Sequence, residues 1–301
     1  MILEQRSKGT GFIVCFMSVL RENPPVSRNR IHKMGSALRE DGVVATPDDW
    51  EAYLLHQTEI VGELVKQLGD FAESNSEVLL GGETMEKNIV PGSGAYMVSG
   101  RPKTIISLKE KLRRMRETPL ERIQDVAGAR LDCDVTLTQQ RRIADELCDL
   151  FTECGATRVD LIDLRDGSHS GYRAIHLHLR FPAGFAEVQV RTALQSHWAN
   201  VYESAADIFG RQIRYLHEEN CQVLLSPAEK KIVKLLHGLS AHTSQVEKER
   251  DECSYIGLHP VGDYNVESNQ EKIPSIEYKI YYTILNKLDE QFRKIRGSRR
   301  K

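Results

Sequence analysis

No two of the six cysteines, Cys15, Cys133, Cys148, Cys154, Cys221 and Cys253, stand in a CxxC pair. That spacing marks many structural zinc sites and dithiol redox centres, so neither is expected. Scattered thiols in a chain of 301 residues also point away from a disulfide framework and toward a reducing, cytoplasmic setting. Membrane-spanning length is missing as well. Gly11 to Leu20 (GFIVCFMSVL) is apolar but only about half of the ~20 residues a span needs, so no membrane partner is expected. Arg6 and Lys8 precede it as in a secretory leader, yet no small-residue cleavage site follows; we read a non-structural start, with translation beginning at Met17 or Met34. An excess of one charge is absent too. The 41 Lys and Arg against 43 Asp and Glu give a net charge of −2, which excludes a protein that coats nucleic acid through bulk positive charge.

What is present is local. Arg101 to Arg116 holds seven Lys/Arg and one acid, and Arg293 to Lys301 holds six Lys/Arg and no acid. A basic stripe within a near-neutral protein suits a confined polyanion, such as a phosphate chain or RNA; a solvated helix face accounts for the C-terminal run equally well. Hydrophobic residues at 40% and charged residues at 28% are ordinary for a globular protein.

Periodicity divides the chain. Residues 1–47 read as irregular. A helix opens at Pro47-Asp48-Asp49-Trp50, with Tyr53, Leu54, Ile60, Leu64, Leu68 and Phe71 at helical spacing. Gly81 to Gly100 reads as loop with a short strand near Ala95 to Val98. Ser107-Leu108-Lys109-Glu110 has the form of a capping box opening a helix whose stripe is Leu108, Leu112 and Met115. Then come a strand over Val126–Val135, a helix over Thr138–Cys154 and a strand over Arg158–Leu164. Asp166-Gly167-Ser168 is a turn. Strands Tyr172–Phe181 and Phe185–Arg191 form a hairpin through Pro182-Ala183-Gly184, and a helix over Leu194–Ala206 follows. Two long amphipathic helices, Ala228–Arg250 and Ile276–Arg296, close the chain. This order describes an α+β protein.

Strand alternation then picks out chemistry. Tyr172, Ala174, His176 and His178 share one side of an extended chain, and Ile175, Leu177 and Leu179 share the other. Glu187, Gln189 and Arg191 share one face of AEVQVRT, opposite Val188 and Val190. In IQDVAGARLDCD, Asp125 stands where the strand starts, Gly128 permits close approach, and Arg130 and Asp132 alternate with Leu131 and Cys133. Each polar face alone is equally well a solvent face. Together, two carboxylates on different strands with cations nearby suit Mg²⁺, which takes one or two carboxylates plus substrate phosphates. Packing is the expected role of Cys133, Cys148, Cys154 and Trp198; His178 is expected to be structural, and His197 is open to either role.

Four stretches, SGRPKTIISLKEKL, IQDVAGARLDC, SGYRAIH and AEVQVRT, in this order and spacing, resemble the synthetase domain of the RelA/SpoT family over about Tyr96 to Asp207. The resemblance implies a nucleotidyltransferase-like mixed sheet flanked by helices, with added N- and C-terminal helices. It implies a synthetase domain over 48–215 and a C-terminal helical extension over 216–301. The activity implied is transfer of the β,γ-pyrophosphate of ATP to a 3′-hydroxyl, usually of GDP or GTP, with Mg²⁺. By the same resemblance Arg101, Lys103, Ser107, Lys109 and Lys111 match the motif that grips ATP phosphates, with Arg130 downstream. Asp125 matches the metal-binding aspartate. Glu187 matches the glutamate that is both metal-associated and the activator of the attacking hydroxyl. Tyr172 matches the tyrosine on which the acceptor base stacks and His176 the acceptor-side histidine, while Gln189 and Arg191 complete the acceptor strand.

Departures leave the acceptor open. Family members that make guanosine alarmones often carry Lys-Pro-Asn-Gly-Tyr where this chain has Ser168-His169-Ser170-Gly171-Tyr172. The Ser-Gly-Tyr form is similar to a toxin branch whose members pyrophosphorylate the 3′ CCA end of tRNA or make adenosine alarmones. A third reading is a catalytically silent nucleotide- or RNA-binding regulator, against which the retention of Asp125, Tyr172 and Glu187 together argues. No His-Asp dipeptide occurs, so the hydrolase domain of the long bifunctional enzymes is not expected. Leu235, Leu236 and Leu239 suit packing on the domain, a homo-oligomer interface or an antitoxin-like partner.

Overall fold

The computed structural model describes residues 18–42, 46–75, 79–90, 92–216, 225–256 and 274–299. Its centre is a five-stranded mixed sheet built from β1 (Tyr96–Pro102), β2 (Ala127–Cys133), β3 (Arg158–Asp163), β4 (Ile175–Phe181) and β5 (Gly184–Thr192). The spatial order is β1-β2-β5-β4-β3. β2 and β5 run parallel, and the other neighbours are antiparallel.

Seven α-helices accompany the sheet among the described residues: α1 (Arg28–Glu40), α2 (Pro47–Ser74), α3 (Ile105–Arg114), α4 (Leu137–Glu153), α5 (Ala193–Phe209), α6 (Pro227–Ile256) and α7 (Pro274–Arg299). This is the expected α+β arrangement, with helices added at both ends. None of these helices is long and apolar enough to cross a membrane.

The two faces of the sheet have different fates. Leu131, Val188, Val190, Leu177 and Leu179 alternate onto one face and are fully buried beneath Leu64 and Leu68 of α2 and Ile143, Leu147 and Phe151 of α4. Each such side chain contributes roughly 1.5–3 kcal/mol by leaving water. The opposite face carries the polar residues. A second apolar cluster lies at one end of that face, where α5, α6 and α7 bury Trp198, Tyr202, Leu236, Tyr281, Leu285 and Phe292. Trp198 and Tyr202 stack at 4.7 Å, and the Trp198 Nε1–H donates to the Leu236 carbonyl at 2.8 Å. Of the three leucines singled out on α6, Leu236 is buried, Leu239 packs against this cluster and Leu235 is exposed.

Several boundaries differ from expectation for physical reasons. The segment expected to be irregular contains α1, capped by Ser27 and held through Ile31 and Met34 against Leu108, Leu112 and Leu120. Helix α3 opens three residues earlier than the Ser107 motif suggests. Thr104 is the N-cap, its hydroxyl accepting the Ser107 N–H at 3.3 Å, which places Ser107 inside the first turn. β4 starts at Ile175, so Tyr172 belongs to the preceding turn. The apolar stretch over residues 11–17 lies outside the described residues. Arg293 and Arg296 of the basic C-terminal run pair with Asp289 and Asp207, which makes that part of the run a helix face tied to its neighbours.

Candidate active site

Register arranges the polar face of the sheet in rows. The first row runs across all five strands as Arg101, Gly128, Glu187, His178 and Asp160. The second runs as Ser99, Arg130, Gln189, His176 and Ile162. The third contains Met97, Asp132 and Arg191. Because α5 turns back from the end of β5, it covers the third row and leaves the first two open.

A cavity of about 750 Å³ opens over these two rows. Its walls include Arg101, Lys103, Ser107, Lys111, Asp125, Arg130, Glu187 and Gln189. Lys103 and Lys111 both clamp Asp125, at 2.9 and 2.7 Å. Burial alone would push the Asp125 carboxyl up; the two ammonium groups outweigh it and hold the group below its ordinary range, while the charge on Glu187 pushes the other way. Arg101 and Arg130 have no carboxylate partner among the described residues. The charge of neighbouring Arg191, together with burial, holds the Arg130 guanidinium below its ordinary value. Crowded cations of this kind are stabilised by an incoming polyanion.

Glu187 is 7% exposed. Gln189 Nε2 donates to its Oε1 at 2.7 Å, and its Oε2 lies 3.5 Å from His176 Nδ1 and 3.3 Å from His178 Nε2. Burial pushes this carboxyl up, but hydrogen bonds to the two histidines and Gln189 win and hold it well below the ordinary carboxylate range. His178, expected to be structural, therefore faces the carboxylate. Tyr172 and His176 are not in the wall of this cavity; they reach it through Gln189. The Tyr172 hydroxyl donates to Gln189 Oε1 at 3.1 Å and lies 3.0 Å from His176 Nε2. Burial pushes the Tyr172 phenol up to about 12, so it stays a neutral donor.

Two expected site residues are placed elsewhere. Lys109 projects from the other side of α3 and pairs with Asp41, which also takes Arg113 at 2.5 Å. Arg191 is 3% exposed and forks onto Asp132 at 2.8 and 3.0 Å, with the Ser196 hydroxyl of α5 donating to the same carboxylate at 2.7 Å. A buried fork of this kind holds β2, β5 and α5 together, and breaking such a pair costs ~3–5 kcal/mol. Conversely, the cavity wall gains Arg211, Arg214 and Tyr215 from a 3₁₀ turn (Arg211–Tyr215), none of which the sequence singled out. The Arg114 guanidinium lies 3.9 Å from the centre of the Tyr215 ring, and Arg211 donates to the Ser107 hydroxyl at 3.2 Å.

Asp125 and Glu187 suit a hard divalent cation. Both are ionised, both open onto one cavity, and each raises the electrostatic cost of the other's charge.

Fold and cavity together define an α+β protein, a mixed five-stranded sheet flanked by helices, with a cation-walled pocket. The family description "Region found in RelA / SpoT proteins" matches residues 100–212. Over 241 residues the chain is 37% identical to uncharacterized proteins of Mycobacterium tuberculosis and Mycobacterium bovis, covering 79% of this chain and 80% of each relative. The chain belongs to the RelA/SpoT family. Among solved structures it is similar to the small alarmone synthetase 1 from Bacillus subtilis, at 24% identity and a TM-score of 0.50, covering 70% of this chain and 98% of that one. The same enzyme bound to its product pppGpp matches at 23% identity and a TM-score of 0.51, covering 70% of this chain and 99% of that one. At this identity the likeness speaks for the fold.

Proposed function

We propose that this chain is a pyrophosphotransferase that moves the β,γ-pyrophosphate of ATP to the 3′-hydroxyl of GDP or GTP. The observation that carries the reading is the double lysine clamp on Asp125 across one cavity from Glu187, with Arg101 and Arg130 left for phosphate. Lys103, Lys111, Arg101 and Arg130 receive the triphosphate, and Ser107 stands beside them. The acceptor lies on the Tyr172 and His176 side, where base–aromatic stacking contributes ~1–3 kcal/mol. Mg²⁺, held by Asp125 and Glu187, supplies neutralisation of phosphate charge.

In the reaction the acceptor 3′-oxygen bonds to the β-phosphorus and the bond from that phosphorus to the α-phosphate oxygen breaks. AMP leaves with the electron pair of the broken bond, and Glu187 accepts the hydroxyl proton. A carboxylate held low is a weak base, which suits phosphoryl transfer, where the loose transition state asks for positioning more than for proton abstraction.

A second reading keeps the chemistry and changes the acceptor to an adenine nucleotide or the 3′ end of tRNA. It is favoured by Ser170, which occupies the family's asparagine position and takes φ +53°, the left-handed region that suits Asn or Gly better than Ser.

The test is transfer from γ-labelled ATP with Mg²⁺, offering GDP, GTP, adenine nucleotides and deacylated tRNA in parallel. Label on GDP or GTP is expected, and Glu187→Gln should abolish it while ATP binding persists. Label on tRNA or an adenine nucleotide would establish the second reading. No label on any acceptor, or unchanged turnover in Glu187→Gln, would overturn the mechanism.

A further inference from the structure

The hydrogen bonds around Glu187 determine where each proton sits. An ionised carboxylate only accepts, so the Gln189 atom at 2.7 Å from Glu187 Oε1 is the amide nitrogen. The Gln189 oxygen then faces Tyr172, and the phenol spends its single proton there at 3.1 Å. The Tyr172 oxygen is left to accept from His176 Nε2 at 3.0 Å, so that nitrogen carries the proton. His176 Nδ1 then faces Glu187 Oε2, 3.5 Å away. His178 brings a second ring nitrogen to the same oxygen, with Nε2 at 3.3 Å.

Two of the three separations match a small metal ion. Ligand atoms about 2.0–2.1 Å from a tetrahedral zinc stand about 3.3 Å apart. The two histidine-to-carboxylate distances, 3.5 and 3.3 Å, sit at that value, and all three ligand atoms lie within 4.8 Å of one another. The strands hold this geometry, because His178 is directly opposite Glu187 and His176 directly opposite Gln189 in the β4–β5 register. Outer partners orient two of the three ligands, as metal sites require: Tyr172 fixes the His176 ring and Gln189 fixes the carboxylate. Access exists as well. Glu187 lines the 750 Å³ cavity, and His178 lines a second cavity of about 660 Å³.

We propose that His176, His178 and Glu187 form a binding site for a borderline transition-metal ion of the zinc class, whose occupation withdraws Glu187 from phosphoryl transfer. Imidazole nitrogens select such ions over Mg²⁺, which prefers oxygen. One carboxylate thus serves two metals of different softness, and the softer one inhibits. The inhibitory half rests on the pyrophosphotransferase reading; the binding half does not.

Co²⁺ is the probe, because its visible d–d absorption reports ligand number and type. Titration of the full chain, in a Cys253→Ser background that removes an exposed thiol, should give one equivalent of a d–d band that Zn²⁺ bleaches and Mg²⁺ does not. His178→Leu and His178→Gln should each weaken Co²⁺ binding on the order of 100-fold or more, since losing outer partners alone costs 10–100-fold. In both variants the ratio of transfer with Zn²⁺ to transfer without it should rise toward one, whatever rate each variant has with Mg²⁺ alone. Absence of the band in the parent, or an unchanged band in both His178 variants, would overturn the site. A band with undiminished transfer in Zn²⁺ would overturn the inhibitory half. A parent without transfer under any condition would instead fail the pyrophosphotransferase reading, and the cobalt titration would still report the site.

Discussion

Replacing His197 by Leu should remove a defined acid sensitivity from this protein. His197 lies on α5, is 0% exposed and packs on the Tyr282 ring of α7 at 4.9 Å. Neither ring nitrogen has a hydrogen-bond partner of good geometry, although the Asn286 side chain lies beside the ring. Burial pushes the imidazole down from 6.5 to about 4; Asp289 pulls the other way and Lys87 adds to the fall. The native state therefore refuses a proton that the unfolded chain accepts between these two values. Stability is fully present above about pH 6.5 and is lost as the pH falls toward 4. The complete loss is about 3 kcal/mol, because each tenfold drop in proton affinity on folding is worth about 1.4 kcal/mol. Between about pH 7.5 and about pH 5 the share lost is about 2 kcal/mol. Urea unfolding of the parent and of His197→Leu at those two pH values measures it, because carboxylates common to both chains cancel in the difference. Parallel pH dependence, with the two chains agreeing within about 0.5 kcal/mol, would refute the reasoning.

Two further outcomes follow from where the basic helix points. Lys111→Ala should raise the KM for ATP while Lys109→Ala leaves it unchanged, because Lys111 contacts Asp125 in the cavity and Lys109 pairs with Asp41 outside it; equal effects in steady-state kinetics would contradict this orientation. Thr104→Ala should lower stability by ~1 kcal/mol as a lost N-cap, and Ser107→Ala, which is not the cap, should shift ATP affinity more than the unfolding midpoint.

Much of this arrangement was legible as periodicity. Alternation placed Glu187, Gln189 and Arg130 on a polar face, and their neighbours Val188, Val190 and Leu131 are indeed the core. Alternation tells the face, not the depth. Arg191 shares a face with Glu187 and is buried only because α5 folds back over the third row, a tertiary fact. Lys109 is different, since the signal was available. Residues two apart on a helix point about 200° from each other, so Lys109 and Lys111 could not both face one pocket. Helix α1 was missed because charged residues outnumber its apolar ones, and Arg211, Arg214 and Tyr215 because a 3₁₀ turn after α5 brings them to the wall. His178 read as structural because the expected hairpin supplied its partner strand but not the register, and only the register sets it opposite Glu187.

The parallel pairing of β2 with β5 explains why the cavity sits where it does, and Gly128 tests that account. Register sets Gly128 between Arg101 and Glu187 in the first row. A side chain there would stand between the phosphate-facing cation and the carboxylate. A Cβ added at Gly128 meets only the Arg101 carbonyl oxygen at 3.9 Å, so the protein itself leaves the space open. Glycine within a strand costs roughly 0.5–1 kcal/mol relative to Ala, so its retention at this position opposes stability. Gly128→Val should therefore fold with an unchanged or higher unfolding midpoint. Its two methyl-bearing branches would enter the cavity beside Glu187, and a displacement of reacting groups by about 1 Å is enough to lower transfer ~100-fold. A variant that is both more stable and inactive would locate the reaction in this row. Unchanged transfer would remove the cavity from the mechanism, and failure to fold would show that the space beside Glu187 is not open.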